Sequence, residues 1–358
     1  MDMQCRLVTP TPIQYLGTGP RGQRIYIKRD DLLGFSFGGN KCRIAEVLLQ
    51  DMKEKGCDFF VSYGSRKSNL NRVVGTLCKA EKIPCLVITA LEDGEKEDTF
   101  NSRILERMEI QSVFCDKFHV RETVEQTLAD LREKGYDPYY IYGDSTGKGN
   151  EAAVRKAYAA AYEEIWQWEK QNRIYFRQIF HASGTGMTQG GLIAGQKAVH
   201  EKMCRAEGEK NAEPGNTAAA ENFGRPEQII GISVARNAAR GAVEVARFAG
   251  VPADQVCFLD EYLCGGYGKY EEEIERTIEH VMEQYGIPLD PTYTGKAFTG
   301  MMKWLETHGN DDDPVLFIHT GGTPLYFDFM IPGSKGQKFD ASLLAGEFLT
   351  LGPAKNMI

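Results

Sequence analysis

Gln178-Ile179-Phe180-His181-Ala182-Ser183-Gly184-Thr185-Gly186-Met187-Thr188-Gln189-Gly190-Gly191 decides how this chain is read. Its first residues have the apolar and aromatic character of a buried strand, and the glycines that follow break it. A helical pattern opens beyond them. A strand that runs through such a turn into a helix offers free backbone N–H groups to a phosphate, and the glycines let a ligand come close. Thr185 and Thr188 add hydroxyl donors. The dinucleotide fingerprint Gly-x-Gly-x-x-Gly competes for the same stretch. Gly184 and Gly186 fit it, but Gln189 stands at the third position, and no acid closes the strand ending at Val234-Ala235-Arg236. Arg236 could take a 2′-phosphate, so NADP stays open as an alternative. A nucleotide P-loop fails at Gly143-Asp144-Ser145-Thr146-Gly147-Lys148-Gly149, which is one residue short and ends in glycine. A site for a single phosphate is the better reading.

Outward from this unit the same alternation repeats. Phe59–Tyr63, Cys85–Thr89, Gln178–Ala182, Ile229–Val234 and Val315–His319 read as strands. Amphipathic stretches lie between them at Ala45–Lys55, Arg121–Lys134 and Tyr270–Tyr285, and Gly56 is placed to end the first. The fold class is therefore α/β, with mostly parallel open sheets covered by helices. Ligands of such sheets gather at the carboxyl ends of the strands. Asn150–Gln171 reads as a long helix bridging two lobes, and Arg205–Pro226, without periodicity, as a surface insertion. The 358 residues suffice for two lobes. The small one is expected at 44–165 and the large one at 1–43 with 166–358.

Composition narrows the partners. The formal charge is −8, with 42 basic and 50 acidic residues, which leaves no cationic surplus for nucleic acid. The opening residues lack the apolar core of a signal peptide, and no apolar run could span a bilayer. The expectation is a soluble cytoplasmic protein with no membrane partner. Nine cysteines without a Cys-x-x-Cys pair and six dispersed histidines argue against a disulfide framework or a metal centre.

Three further constellations carry chemistry. Gly38-Gly39-Asn40-Lys41 puts a lysine at the start of a helix, whose positive end disfavours the ammonium form. A lysine made neutral there can attack a carbonyl and form an imine; otherwise the glycines make a turn and Lys41 is solvated. Ser62-Tyr63-Gly64-Ser65-Arg66-Lys67-Ser68-Asn69 is a strand end running into a helix, able to hold a carboxylate or merely to cap the helix. His319-Thr320-Gly321-Gly322 closes another strand. An imine-forming lysine, a one-phosphate turn and an anion-holding serine loop together describe pyridoxal phosphate.

With these motifs in place the chain resembles the fold-type-II pyridoxal-phosphate enzymes (the tryptophan synthase β-like fold), in the branch of D-cysteine desulfhydrase and 1-aminocyclopropane-1-carboxylate deaminase. The resemblance runs from Thr9-Pro10-Thr11-Pro12 through the Arg29-to-Arg43 block, Ser68-Asn69, Thr185-to-Gly191, Tyr267 and Leu289-to-Lys296 to His319-to-Gly322. It implies that Lys41 is the Schiff-base lysine and that Asn69 bonds the cofactor's ring hydroxyl. It likewise implies that Thr320 faces the pyridine nitrogen and that Thr185, Gly186, Met187 and Thr188 hold the phosphate. Ser68, Asn69, Leu70, Tyr267 and Tyr293 would bind substrate, with Lys41, Ser68, Tyr267 and Tyr293 as the catalytic set. Members with deaminase activity carry Tyr-Glu where this chain has Tyr293-Thr294, and desulfhydrases carry Tyr-Thr. β-Elimination from a small amino acid to pyruvate, ammonia and sulfide is therefore expected. Deamination of a cyclopropane amino acid, sulfo-elimination from cysteate, racemisation and cofactor binding without turnover are the rivals. Similar proteins are homodimers. The chain departs from the family pattern at Ile44, where a lysine is usual, at Gly64-Ser65-Arg66-Lys67, and at Leu70. Arg66 and Lys67 either bind an added negative charge on the substrate, such as a sulfonate, or form a solvated face.

Overall fold

The computed structural model describes residues 7–91, 98–210, 227–309 and 312–331, without the side chains of 206–210. The chain enters through β1 (Ile13–Thr18) and β2 (Arg24–Lys28), then α1 (Asn40–Glu54). Next come β3 (Phe59–Gly64), α2 (Asn69–Glu81), β4 (Cys85–Leu91), α3 (Phe100–Arg107), β5 (Gln111–Asp116), α4 (Val120–Glu133) and β6 (Pro138–Tyr140). The long α5 (Glu151–Asn172) leads back to β7 (Gln178–Ser183), α6 (Met187–Lys210), β8 (Gln228–Ser233), α7 (Ala238–Ala249) and β9 (Cys257–Leu259). The described part closes with α8 (Glu272–Tyr285), α9 (Thr294–Thr307), β10 (Pro314–Ile318) and α10 (Thr323–Met330).

The strands form two sheets, one six-stranded in the order β1-β2-β10-β7-β8-β9, the other four-stranded in the order β5-β4-β3-β6. Every pairing is parallel except β1 with β2. The α/β class with mostly parallel sheets follows the sequence reading. Alternation along the strands of the larger sheet separates its faces. Ile27, Phe180, Ile230 and Phe317 pack on α8 and α9, whereas Tyr26, Ile179, Ile229 and Leu316 pack in the core shared with α1, α5 and α6. The second core continues into the smaller sheet through Phe60, Val61, Leu86 and Ile88. Residues 44 and 165 fall inside α1 and α5, which pack against each other.

The five expected strands are present as β3, β4, β7, β8 and β10. β1, β2, β5, β6 and β9 were not expected: β6 and β9 have three residues each, and β2 ends on a lysine. Helix α1 starts at Asn40, ahead of Ala45, because its first turn is mostly polar and buries Asn40 and Arg43 beside Cys42. Gly56 has φ +74° and closes this helix as expected. The expected insertion Arg205–Pro226 is corrected at its start, since α6 continues to Lys210; 211–226 lie outside the described residues.

Gly190 and Gly191 do not serve the ligand. They let helices approach: a Cβ on Gly190 would come within 2.4 Å of Phe248 Cβ, and one on Gly191 within 2.5 Å of Tyr158 Cβ. One turn on, a Cβ at Gly195 would lie 2.7 Å from Tyr162 Cβ and 2.8 Å from the Ala159 backbone. Gly195→Ala is therefore expected to cost about 1–3 kcal/mol by forcing α5 from α6. Urea unfolding of the apoprotein measures it; a loss under about 0.5 kcal/mol would mean the helices part freely.

Candidate active site

The cavity opens where the parallel strands end. It has a volume of about 780 Å³, within the usual range for small-molecule sites of about 300–1,000 Å³. Lys41, Ser68, Asn69, Leu70, Thr185, Gly186, Met187, Thr188, Tyr267, Tyr293 and Thr320 all line it, so the fold gathers every site residue expected from sequence.

Backbone packing fixes Lys41. Gly39 has φ +96°, and a Cβ there would stand 2.8 Å from the Thr320 carbonyl oxygen, so only glycine lets the two loops touch. The Asn40 N–H donates to that carbonyl at 3.0 Å, and Asn40 Nδ2 donates to Thr188 Oγ1 at 2.9 Å. The start of α1 is thereby tied to both the β10 end and the glycine turn after β7. Burial pushes the Lys41 amine down to about 8, and it makes no ion pair among the described residues. Nearby His181 is pushed down to about 4, by burial first and then by Lys41, so it is neutral.

Beneath α1 lies a buried ionic network. Asp30 accepts from Arg43 at 3.1 Å and from Thr11 and Tyr158 at 2.6 and 2.7 Å. Arg43 and Lys28 both reach Glu164 at 2.7 Å. Burial alone would raise the Asp30 carboxyl, but Arg43 and Lys28 outweigh it and hold the group at about 2.

At the β7 end, Gly186 has φ +90°, and a Cβ there would lie 3.1 Å from the Val245 nitrogen. Gln189, the residue that spoils the dinucleotide fingerprint, is buried: Ser183 donates to its Oε1 at 3.1 Å, and its amide donates to the Cys257 carbonyl at 2.6 Å. It ties β7 to β9 and is not available to a ligand in the turn. Across the cavity, Ser68 caps α2 by accepting from the Asn71 N–H at 3.1 Å. Asn69 Oδ1 accepts from Asn101 Nδ2 at 3.0 Å, which leaves the Asn69 NH₂ without a partner among the described residues.

Tyr267 and Tyr293 both line the cavity wall, their hydroxyls 2.6 Å apart. Burial, then Tyr267, pushes Tyr293 well above the ordinary phenol range. The loop bearing Tyr267 is pinned by buried Lys296, whose amine donates to the Leu263 and Gly266 carbonyls at 2.7 Å. Thr294 does not line the cavity; its hydroxyl donates to Asp290 at 2.9 Å.

Residues 5–321 match the family described as pyridoxal-phosphate dependent enzymes. The chain belongs to that family. It is 28% identical over 340 residues to a D-cysteine desulfhydrase of Salmonella typhi, an alignment covering 89% of this chain and 94% of that protein. A crystal structure titled as an ACC deaminase homologue aligns with TM-score 0.69 and 29% identity, over 90% of this chain and 92% of the other. The fold alone is shared with an O-ureido-L-serine synthase at TM-score 0.59 and 15% identity, over 91% and 94% of the two chains. The reading as a pyridoxal-phosphate enzyme thus holds, and the NADP alternative falls.

The cavity fits the cofactor. Thr185–Thr188 would hold its phosphate, the Lys41 amine would meet its aldehyde, and Asn69 and Thr320 would meet its ring hydroxyl and nitrogen. Arg66 and Lys67 do not line the cavity. Arg66 pairs with Asp98 and lies over the Phe114 ring at 5.3 Å, beside a separate cleft. The idea that they bind a sulfonate therefore has no geometric support. Sequence reasoning missed Tyr63, Ser65, Lys117, Tyr142 and Arg240 on the cavity wall. Tyr63 is at the end of β3, Ser65, Lys117 and Tyr142 lie in loops, and Arg240 is in the first turn of α7, so no periodicity joins them.

Proposed function

We propose that this chain is a lyase that eliminates the β-substituent of a small amino acid, in the manner of the D-cysteine desulfhydrases it resembles. One observation carries the reading. Among the described residues no carboxylate lines the cavity, while Lys41, Lys117, Arg236 and Arg240 do. Anionic groups are thus welcomed, and proton transfer falls to an amine and hydroxyls. Ser68 and the first N–H groups of α2 would hold the substrate carboxylate. When bound, pyridoxal phosphate supplies the electron sink that makes the α-proton acidic. Lys41, with its amine held near 8, would take that proton, and Ser68 lies on the same wall. The Tyr267–Tyr293 pair, sharing a hydrogen bond, would steer a proton to the departing thiolate. Thr320 offers the ring nitrogen a neutral hydroxyl, which favours prompt elimination over racemisation. We also read the protein as a cytoplasmic homodimer. Exposed Phe327, Met330 and Ile331 around α10 support an interface there, and no described helix is long and apolar enough to cross a membrane.

Product assays on D-cysteine, L-cysteine, cysteate and 1-aminocyclopropane-1-carboxylate test this. Pyruvate with sulfide from cysteine is expected. Tyr293→Phe should lower kcat by about 10²-fold and leave the visible absorbance of the loaded protein intact. 2-Oxobutanoate from the cyclopropane substrate, with none of the other products, would replace the reading with deamination. No product and no spectral response to any amino acid would replace it with cofactor binding alone.

A further inference from the structure

The turn from Ser183 to Gly186 carries no cationic side chain. The first turn of α1 adds none toward it beyond Lys41, since Ile44 is fully buried in the apolar core. The wall beside the turn is nevertheless charged. Arg236 follows β8, and its guanidinium donates to the carbonyl of Gly184. Ser233 fixes its backbone: the hydroxyl donates to the Arg236 carbonyl at 2.6 Å and accepts from its N–H at 3.1 Å. Adjacent strand ends in the order β10-β7-β8 thus present Thr320, the phosphate turn and Arg236 in line. No carboxylate pairs with Arg236 among the described residues. Glu244, the acid it feels most, is already engaged by Arg247 at 3.0 Å. Burial, together with Arg240 and Arg247, works against the Arg236 charge and lowers its pKa. A half-buried guanidinium with one N–H spent on a carbonyl and no counter-charge is stabilised by an arriving anion.

We propose that Arg236 supplies the cationic contact to the phosphoryl group of pyridoxal phosphate at the Ser183–Thr188 turn, with exposed Arg240 adding attraction at the cavity mouth. This rests on the placement of the phosphoryl group at that turn. Pyridoxal, which lacks the phosphate, separates the two claims. Apoprotein is titrated with pyridoxal phosphate and with pyridoxal, binding being read by absorbance and by quenching of intrinsic fluorescence. Arg236→Gln should weaken pyridoxal phosphate by about 10- to 100-fold and leave pyridoxal unchanged, and Arg236→Lys should recover part of the loss. Arg240→Gln should weaken pyridoxal phosphate by about two- to fivefold, the difference vanishing at high salt. Equal weakening of both compounds by Arg236→Gln would make Arg236 a brace of the turn and overturn the proposal, as would no weakening of either. If unaltered protein binds pyridoxal as tightly as its phosphate, the placement of the phosphoryl group itself fails, whatever the arginine variants do.

Discussion

Lys41→Ala is expected to abolish the visible absorbance of the cofactor-loaded protein and to lower turnover by about 10²- to 10⁴-fold, while the apoprotein stays folded. Both halves follow from the same geometry. The amine lines the cavity, has no ion pair among the described residues, and is pushed by burial to about 8. Removing it takes away the nucleophile but breaks no hydrogen bond or ion pair among the described residues, and it relieves the burial of an uncompensated ammonium. The melting temperature of the apoprotein should therefore hold or rise. An ordinary lysine near 10.4 is neutral in only about 0.04% of molecules at pH 7, whereas one at about 8 is neutral in roughly a tenth. Capture of pyridoxal phosphate by the unaltered apoprotein should accordingly quicken as pH rises to about 8 and then level off. An unchanged absorbance in Lys41→Ala, or a capture rate still climbing steeply above pH 9, would remove Lys41 from its role.

Arg43→Met is the second large effect, and it acts on stability. Arg43 bridges Asp30 and Glu164 with its side chain 5% exposed, so the truncation leaves Asp30 buried with Lys28 as its remaining cation. Losing one partner of such a network costs about 3–5 kcal/mol, to be read from urea unfolding of the apoprotein. The Asp30 carbonyl also accepts the Gly39 N–H at 2.8 Å, so the start of α1 should loosen and cofactor affinity fall as well. pH dependence gives an independent check. Asp30 is held at about 2, below its ordinary value, and its contribution is full above about pH 4 and lost as pH falls through about 2. Arg43→Met should flatten that acid limb. A loss below about 1 kcal/mol would show that the network is merely compatible with the fold.

Legibility followed the physics of each signal. The strands that form the middle of each sheet, such as β7 and β8, are apolar on both faces, and local sequence carries that signature. Tyr142 and Tyr63 could not be assigned to the cavity from sequence, since an aromatic residue after a strand looks the same in a core or a site. Gly190 and Gly191 looked like part of the ligand turn, yet they serve helix packing, because a glycine's neighbour across space leaves no mark along the chain. Arg66 and Lys67 pointed the other way: adjacent to the serine loop in sequence, neither lines the cavity, and Arg66 pairs with Asp98.

The sequence by itself determined the α/β class, the glycine turn after β7, the lysine at a helix start and the family, since each is written in a few consecutive residues with their own backbone preferences. Only the tertiary structure decided that Arg236, more than fifty residues beyond Gly184, stands beside that turn, and that Thr294 points to Asp290 and away from the cavity. It also decided that Asp30, Arg43, Glu164 and Lys28 form one buried network. These relations join residues brought together by the order of parallel strands, where long crossovers set the neighbours and sequence distance says nothing about contact.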